Sequence, residues 1–479
     1  MSANSKKFYM HLAISIVLFV LLRFVPASNG LTPIGVNVLS VFIPVLYMWL
    51  VIGTDWPSWL AMALVIFTGV MTPAEVYSGV FGTSLIITVI GMMSFSKVLT
   101  NTGVIELVVK RAITFEIVRG RPYVFIAMLL GACGLISCFV DVGAVTLIFI
   151  PIIAGICDEI GYKKGDAFYT SLMIGLFWVT NAFNGGSPLG HALPVIMMNA
   201  AAAGGYEISY SEWLAVGVPA AILISAAAIV LICLVWRPEA SKFKNYDLDA
   251  HRNSIPKLSR EGAITLVIFA LVILYWVVPV VFPGLMSENM TALYNRWGTS
   301  LPLIIGMSLL CMIHVDNKPV ADFRHMTSTS TITTLLFIGI VSVLGTAISS
   351  EAAGISACLN TILAPFTSSM SMFMIVVLGC LGCIILTNFI SNTVSMLLFF
   401  SLIIPIVQAG GGDVNLVIIL LCIMACFASL VPSAAVTAPF FFGPEHITVK
   451  NTYKWNIIMI ILAWLITAFI FYPLFAMLV

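Results

Sequence analysis

The chain has 479 residues, 61% of them hydrophobic and only 9% charged, against about 25% charged in soluble domains. A mean hydropathy of +1.12 and a net charge of +1 define a polytopic membrane protein and exclude a soluble domain with one anchor or a nucleic-acid surface. No G-x-x-x-x-G-K-[ST] loop, H-E-x-x-H or serine or cysteine triad is present, so neither ATP-driven transport nor a membrane-embedded enzyme is indicated.

A spanning helix needs about 20 apolar residues. The first run, 9–27, comes after Lys6 and Lys7 and lacks a small-residue cleavage site, so it reads as a retained helix. Runs at 35–53, 57–72 and 83–103 come next. Region 122–157 is apolar but broken in the middle, and 166–202 carries the break NGGSPLGHALP, Asn184 to Pro194. Beyond it lie 210–236, a basic loop at 237–262, and runs at 263–282, 298–314 and 331–350. Region 368–408 is broken like the first, 414–443 contains VPSAAVTAP (Val431 to Pro439), and 455–478 closes the chain. The ten cysteines lie almost wholly in apolar runs and read as buried small hydrophobes. Cys380-Leu-Gly-Cys383 has no second ligand pair to make a metal site.

Charge decides whether the two broken regions cross the membrane. If both return to the side they left, Lys6, Lys7, Lys110, Arg111, Arg119, Arg121, Lys163, Lys164, the 237–262 loop, Lys318, Arg324, Lys450 and Lys454 are all cytoplasmic. That puts 18 of 21 basic residues inside, with Arg23 and Arg296 outside and Lys97 within a span, as the positive-inside rule requires. The expectation is an all-α integral membrane protein with about 11 crossings and two re-entrant hairpins. Its N-terminus is cytoplasmic and its C-terminus outside, in a bacterial plasma membrane. The Arg237–Arg260 loop reads as a topology determinant in contact with lipid headgroups.

The chain also repeats. LISCF at 135–139 aligns with ILTNF at 385–389, which sets Asp141 on Ser391 and Gly143 on Thr393. Ser187 falls on Thr437, and Gly103 lands near Gly354. Units 83–202 and 331–443 each read span, hairpin, broken span, and an odd number of crossings inverts the second. Inverted repeats with discontinuous helices mark secondary transporters. Helix N-termini at such breaks favour anions. Freed carbonyls with Ser, Thr and Asn oxygens suit Na⁺. The triplet Ser391-Asn392-Thr393 offers both kinds of group.

That triplet, the TAP break and FFGPEHIT (Phe441 to Thr448) resemble the divalent anion:sodium symporter family of di- and tricarboxylate transporters. The resemblance implies a homodimer of elevator-type protomers. Scaffold helices would occupy 1–82 and 203–330, the moving repeats 83–202 and 331–443, and a last helix 444–479. It implies that Ser391, Asn392 and Thr393 bind a substrate carboxylate, helped by Thr437 and Pro439, with Ser187, Pro188 and Gly143 as first-half counterparts. One cation site would use Thr387, Ile390, Asn392 and Val436; the other, Ser137, Asp141, Gly143 and Gly186. Here the chain departs from the pattern. Asp141-Val142-Gly143 replaces the first triplet, and the asparagines after the breaks give way to Phe440 and to Leu189-Gly190-His191.

Asp141 is the only acid deep in a membrane-embedded element, which makes it a functional candidate. It is protonated by burial, holds a cation, or pairs with His191 in the facing break. The pair would carry a coupling proton, replace a Na⁺ site, or simply lock the hairpin. Lys97 reads as snorkelling. Phe177, Trp178 and Phe427 read as packing residues. His446 is expected at the cytoplasmic end of the tenth span, and His11, His251, His314 and His325 near interfaces or in loops.

The expected function is secondary active transport of small organic anions, C4-type dicarboxylates of the succinate, malate, fumarate and 2-oxoglutarate class. The driving force is Na⁺ symport or exchange, with Na⁺ the only ion the pattern suggests as a cofactor. The alternative is a proton-coupled carrier, through Asp141, of a monocarboxylate or inorganic oxyanion. A channel fits less well, because no ring of like charges is present.

Overall fold

The fold comes from a computed structural model that describes residues 3–477, apart from 54, 190, 254, 256, 299, 327, 328, 356, 359, 360, 363–369, 432, 433, 436 and 443–446. The N-terminal helices are α1 (Ala3–Leu22), α2 (Pro33–Val51), α3 (Trp56–Phe67), α4 (Pro73–Phe81), α5 (Ser84–Asn101) and α6 (Val104–Ile113). After them come α7 (Pro122–Ser137), α8 (Val142–Ile160), α9 (Ala167–Gly186), α10 (Ala192–Ala203) and α11 (Tyr210–Val230). The second half holds α12 (Arg260–Val281), α13 (Glu288–Trp297), α14 (Leu301–Met312), α15 (Thr329–Ser349), α16 (Met372–Thr387), α17 (Asn392–Ala409), α18 (Val414–Cys426) and α19 (Val449–Leu465). One ribbon departs from the all-helical expectation, His314–Val315 against Lys318–Pro319. Asp316 and Asn317 turn it at φ 49° and 61°, a left-handed conformation that short polar side chains tolerate.

Several helix starts arise from local chemistry. Thr72 and Glu75 form a reciprocal capping box at α4, with Pro73 in the first turn. Thr32 caps α2 by accepting from Gly35 N. Gly103 and Gly354 stand at φ 73° and 67°, and each precedes a new helical stretch. Only glycine takes that conformation without strain.

The molecule is an integral membrane protein. Among the described residues, six helical segments are long and apolar enough to cross a bilayer: 73–101, 142–160, 210–236, 260–279, 392–409 and 449–476. Eight further apolar helical stretches of 10–17 residues occur among the described residues. A 12-residue helix rises about 18 Å, short of a hydrocarbon core about 30 Å thick. Exposed Leu135, Leu147, Leu271 and Ile385 need no water-facing explanation, because hydrocarbon is the solvent at that depth.

The core lies where α9 meets α18. From Phe168 to Gly186 only Asn184 is less than buried, and from Leu416 to Cys426 every residue is buried. A helix apolar on all sides belongs inside a bundle. Contact is closest at Gly185, where an added Cβ would lie 2.6 Å from the Ile423 Cα. Hairpin helices α7 and α8 pack on α9, and α16 and α17 pack on α18.

The 237–262 loop packs against the first hairpin. Phe243 and Tyr246 pack on Phe125, each with ring centroids 5.3 Å away. Arg119 bridges Glu116 (2.5 Å) and Asp249 (2.8 Å), Arg252 reaches Glu116 (2.9 Å), and His251 meets Glu159 (3.0 Å). The loop's basic residues are thus partly spent on the base of the first hairpin.

Candidate functional site

The two hairpins match in register. Pro122 and Met372 open them, Ser137 and Thr387 end the first arms, and Val142 and Asn392 begin the second arms, 250 residues apart in each case. Their tip residues share one backbone conformation, φ −52° and ψ 137° at Asp141, φ −54° and ψ 134° at Ser391. Their side chains behave differently. Asp141 Oδ1 accepts from Gly143 N at 2.9 Å and from Ala144 N at 3.4 Å. Ser391 makes no side-chain cap. The N–H groups of Thr393 and Val394, which match Gly143 and Ala144, therefore have no described acceptor. A first turn with free N–H groups attracts anions.

Each tip is tied to a helix break. Asn388, which neither charge nor the triplet pattern singled out, clamps the second. Its Oδ1 accepts from Ser429 N and Leu430 N, both at 2.9 Å, and its Nδ2 donates to the Ile384 carbonyl (2.7 Å) and the Phe427 carbonyl (3.3 Å). The matching residue, Cys138, holds the first break through its carbonyl, which accepts from Ser187 Oγ at 2.5 Å. Ser187 Oγ also accepts from Leu189 N at 3.3 Å. Two more buried donors finish the job. Asn181 donates to the Ala428 carbonyl (2.9 Å) and the Trp213 indole to that of Gly185 (3.1 Å). These polar residues answer carbonyls that the breaks strand inside the protein, where an unpaired group is costly. A polar residue inside an apolar run was the only signal for them.

Around the second tip, oxygens gather. Thr387 Oγ1 donates to the Ala425 carbonyl and lies 3.0 Å from Asn392 Oδ1. Ser395, one turn past the tip, and Ser429, at the break, are fully buried, and neither hydroxyl has a described partner. Thr437 is buried and starts the short helix Ala438–Phe441, where Pro439 stands in the first turn. Ile390 spends its N–H on the Leu386 carbonyl. Val436 and His446 lie outside the described residues. Neutral oxygen donors of this kind fit a Na⁺ ion. No group of three or more His, Cys, Asp or Glu able to hold a metal occurs among the described residues.

Around the first tip, more of the polar groups are engaged within the protein, although the buried Thr146 hydroxyl has no described partner. Ser137 Oγ lies 3.7 Å from the Cys133 thiol, Ser187 and the Gly143 N–H are engaged as above, and Pro188 is buried. Gly186 is pressed against α11, where its Cβ would fall 2.6 Å from the Gly217 carbonyl. The expected Asp141–His191 ion pair is not formed. Asp141 turns back onto its own helix, and buried His191 donates from Nε2 to the Ser137 carbonyl at 2.6 Å. Its Nδ1 has no described partner. Trp178 is more than packing, since its indole donates to Asn456 at 2.7 Å. Phe177 stacks on Phe441 at 4.5 Å and Phe427 is fully buried, as packing residues should be.

Paired hairpins and broken helices about a buried crossing are the architecture of a secondary transporter, here one of organic anions. The chain matches the model of the citrate transporter family, CitMHS, over residues 44–426, and it belongs to that family. It is also 21% identical over 457 residues to a Haemophilus influenzae protein described as an uncharacterized transporter, an alignment that covers 94% of this chain and 93% of that one. The resemblance to divalent anion:sodium symporters points the same way, as the two families are related.

Proposed function

We propose that the protein carries small organic acids of C4 size across the membrane, with one substrate carboxylate received at Ser391, Asn392 and Thr393. The observation that carries this reading is the uncapped start of α17, beside the unpartnered hydroxyls of Ser395 and Ser429. Free N–H groups and hydroxyls at one point are what a carboxylate needs. Dicarboxylates are the class that the resemblance implies, and the family's name adds citrate to the ligands worth testing. The oxygens of Thr387, Asn392 and Ala425 support Na⁺ symport at this tip, and exchange uses the same site without an ion gradient. A homodimer with elevator motion is the assembly that goes with this reading.

A second reading is supported by His191, whose Nδ1 is buried without a described partner near Asp141. Together they suit proton-coupled uptake of a monocarboxylate or an inorganic oxyanion. The test is uptake of labelled succinate, citrate and a monocarboxylate into proteoliposomes, each with a Na⁺ gradient, a pH gradient or internal counter-substrate. Saturable uptake driven by one of these supports a carrier and identifies its coupling. No uptake under any condition, or flux at channel rates, would refute it.

A further inference from the structure

We propose that Asp141 stands in for one substrate carboxylate. The carrier then selects a monoanion, with its carboxylate at the second tip and an uncharged hydrogen-bond donor, such as a hydroxyl, turned toward the first. This rests on the reading that the Ser391 tip receives a carboxylate. The two tips share their backbone conformation and differ in who fills the anion position. At the second, the N–H groups of Thr393 and Val394 are open. At the first, the equivalent N–H groups of Gly143 and Ala144 already hold the Asp141 carboxylate by Oδ1. The protein has, in effect, bound its own anion there.

A second substrate carboxylate approaching this tip meets spent donors and a like charge, which disfavours it. Nothing nearby reverses the sign. Lys97 comes directly after Ser96, whose hydroxyl accepts from Asp141 N at 3.3 Å. Yet no ion pair joins Lys97, or His191, to Asp141 among the described residues. Asp141 is exposed, and Oδ2 has no described partner. That oxygen can accept from a donor on the substrate, which is the chemistry that recognises a hydroxyl.

Three ligands test this on the protein in nanodiscs, by competition at a pH where the ligand carboxyls are ionised: succinate, 4-hydroxybutanoate and butanoate. In the wild type, 4-hydroxybutanoate should compete best, with succinate weaker by roughly tenfold or more. Asp141→Ser should move the ratio at least roughly tenfold toward succinate. If the serine variant does not fold, Asp141→Asn, which keeps the capping oxygen and removes the charge, carries the same comparison. Succinate binding as tightly as 4-hydroxybutanoate in the wild type, or an unchanged ratio in the folded variants, would overturn the proposal. Butanoate engages only the second tip. Its failure to compete would overturn the carboxylate reading of that tip instead.

Discussion

Ser391 and Asp141 occupy one position in two copies of a hairpin, and only Asp141 caps its own helix. Ser391 holds nothing in place with its side chain. Ser391→Ala should therefore leave stability within about 0.5 kcal/mol, while KM for a carboxylate rises about tenfold through loss of a bond to a charged group. Melting and uptake on the same preparation separate the two, and a variant that melts early with unchanged KM would contradict this role. Asn388 predicts the opposite pattern. Asn388→Ala strands the buried Ser429 N–H, at about 1–3 kcal/mol, and the part-buried Leu430 N–H, so melting should fall along with transport. The sequence pattern exposed Ser391 through an alignment at fixed offset, and Asp141 through its charge. It did not reveal where the Asp141 carboxylate points. A short acidic side chain at a helix start finds N–H groups two and three residues on, and this local bond won over a distant histidine. Asn388 was overlooked because its role lies in carbonyls and amides freed by a break some 40 residues later, which no local pattern encodes.

The elements depend on close contact more than on length. Gly185 allows the α9 backbone to touch α18, and Gly185→Ala would drive a methyl group to within 2.6 Å of the Ile423 Cα. Such overpacking against backbone costs about 1–3 kcal/mol or more. The predicted result is loss of folded protein on size-exclusion chromatography, and a fully stable variant would show that the crossing is looser than these contacts require. The 237–262 loop responds to pH instead. The Arg119 guanidinium, hydrogen-bonded to both Glu116 and Asp249, holds their carboxyls below the usual carboxylate range. Groups with depressed folded values stabilise above the unfolded value and lose that contribution as pH falls through the folded one. Hydrogen exchange at 241–253 should stay slow at neutral pH and quicken only below the ordinary carboxylate range, sooner in high salt. Faster exchange near neutrality would contradict this.

Element by element, the apolar runs foretold most long helices and the breaks between Ser137 and Val142 and between Thr387 and Asn392, since composition at that length leaves few alternatives. Short α4, the amphipathic α6 and polar α13 were not anticipated, because none is long or apolar enough to register as a span. The ribbon at 314–319 is likewise too short for a periodic signal.

On the scale of the whole molecule, two hairpins and two broken helices meet where α9 packs on α18, and one hairpin tip starts its helix uncapped while the other is capped by Asp141. Overall class was legible from hydropathy, and family from the second tip and break, where the motifs are intact. How many helices cross the bilayer was less so, since apolar length alone does not separate a broken helix from a span. The most direct test is a structure of the protein with a heavy-atom-labelled C4 carboxylate, a bromosuccinate or bromobutanoate, located by its anomalous or difference signal. We predict a carboxylate within hydrogen-bonding distance of Ser391 Oγ and the Thr393 and Val394 N–H groups, with Asp141 still on Gly143 and Ala144. A carboxylate seated at the first tip with Asp141 displaced, or no ligand at either tip under saturating conditions, would contradict this account.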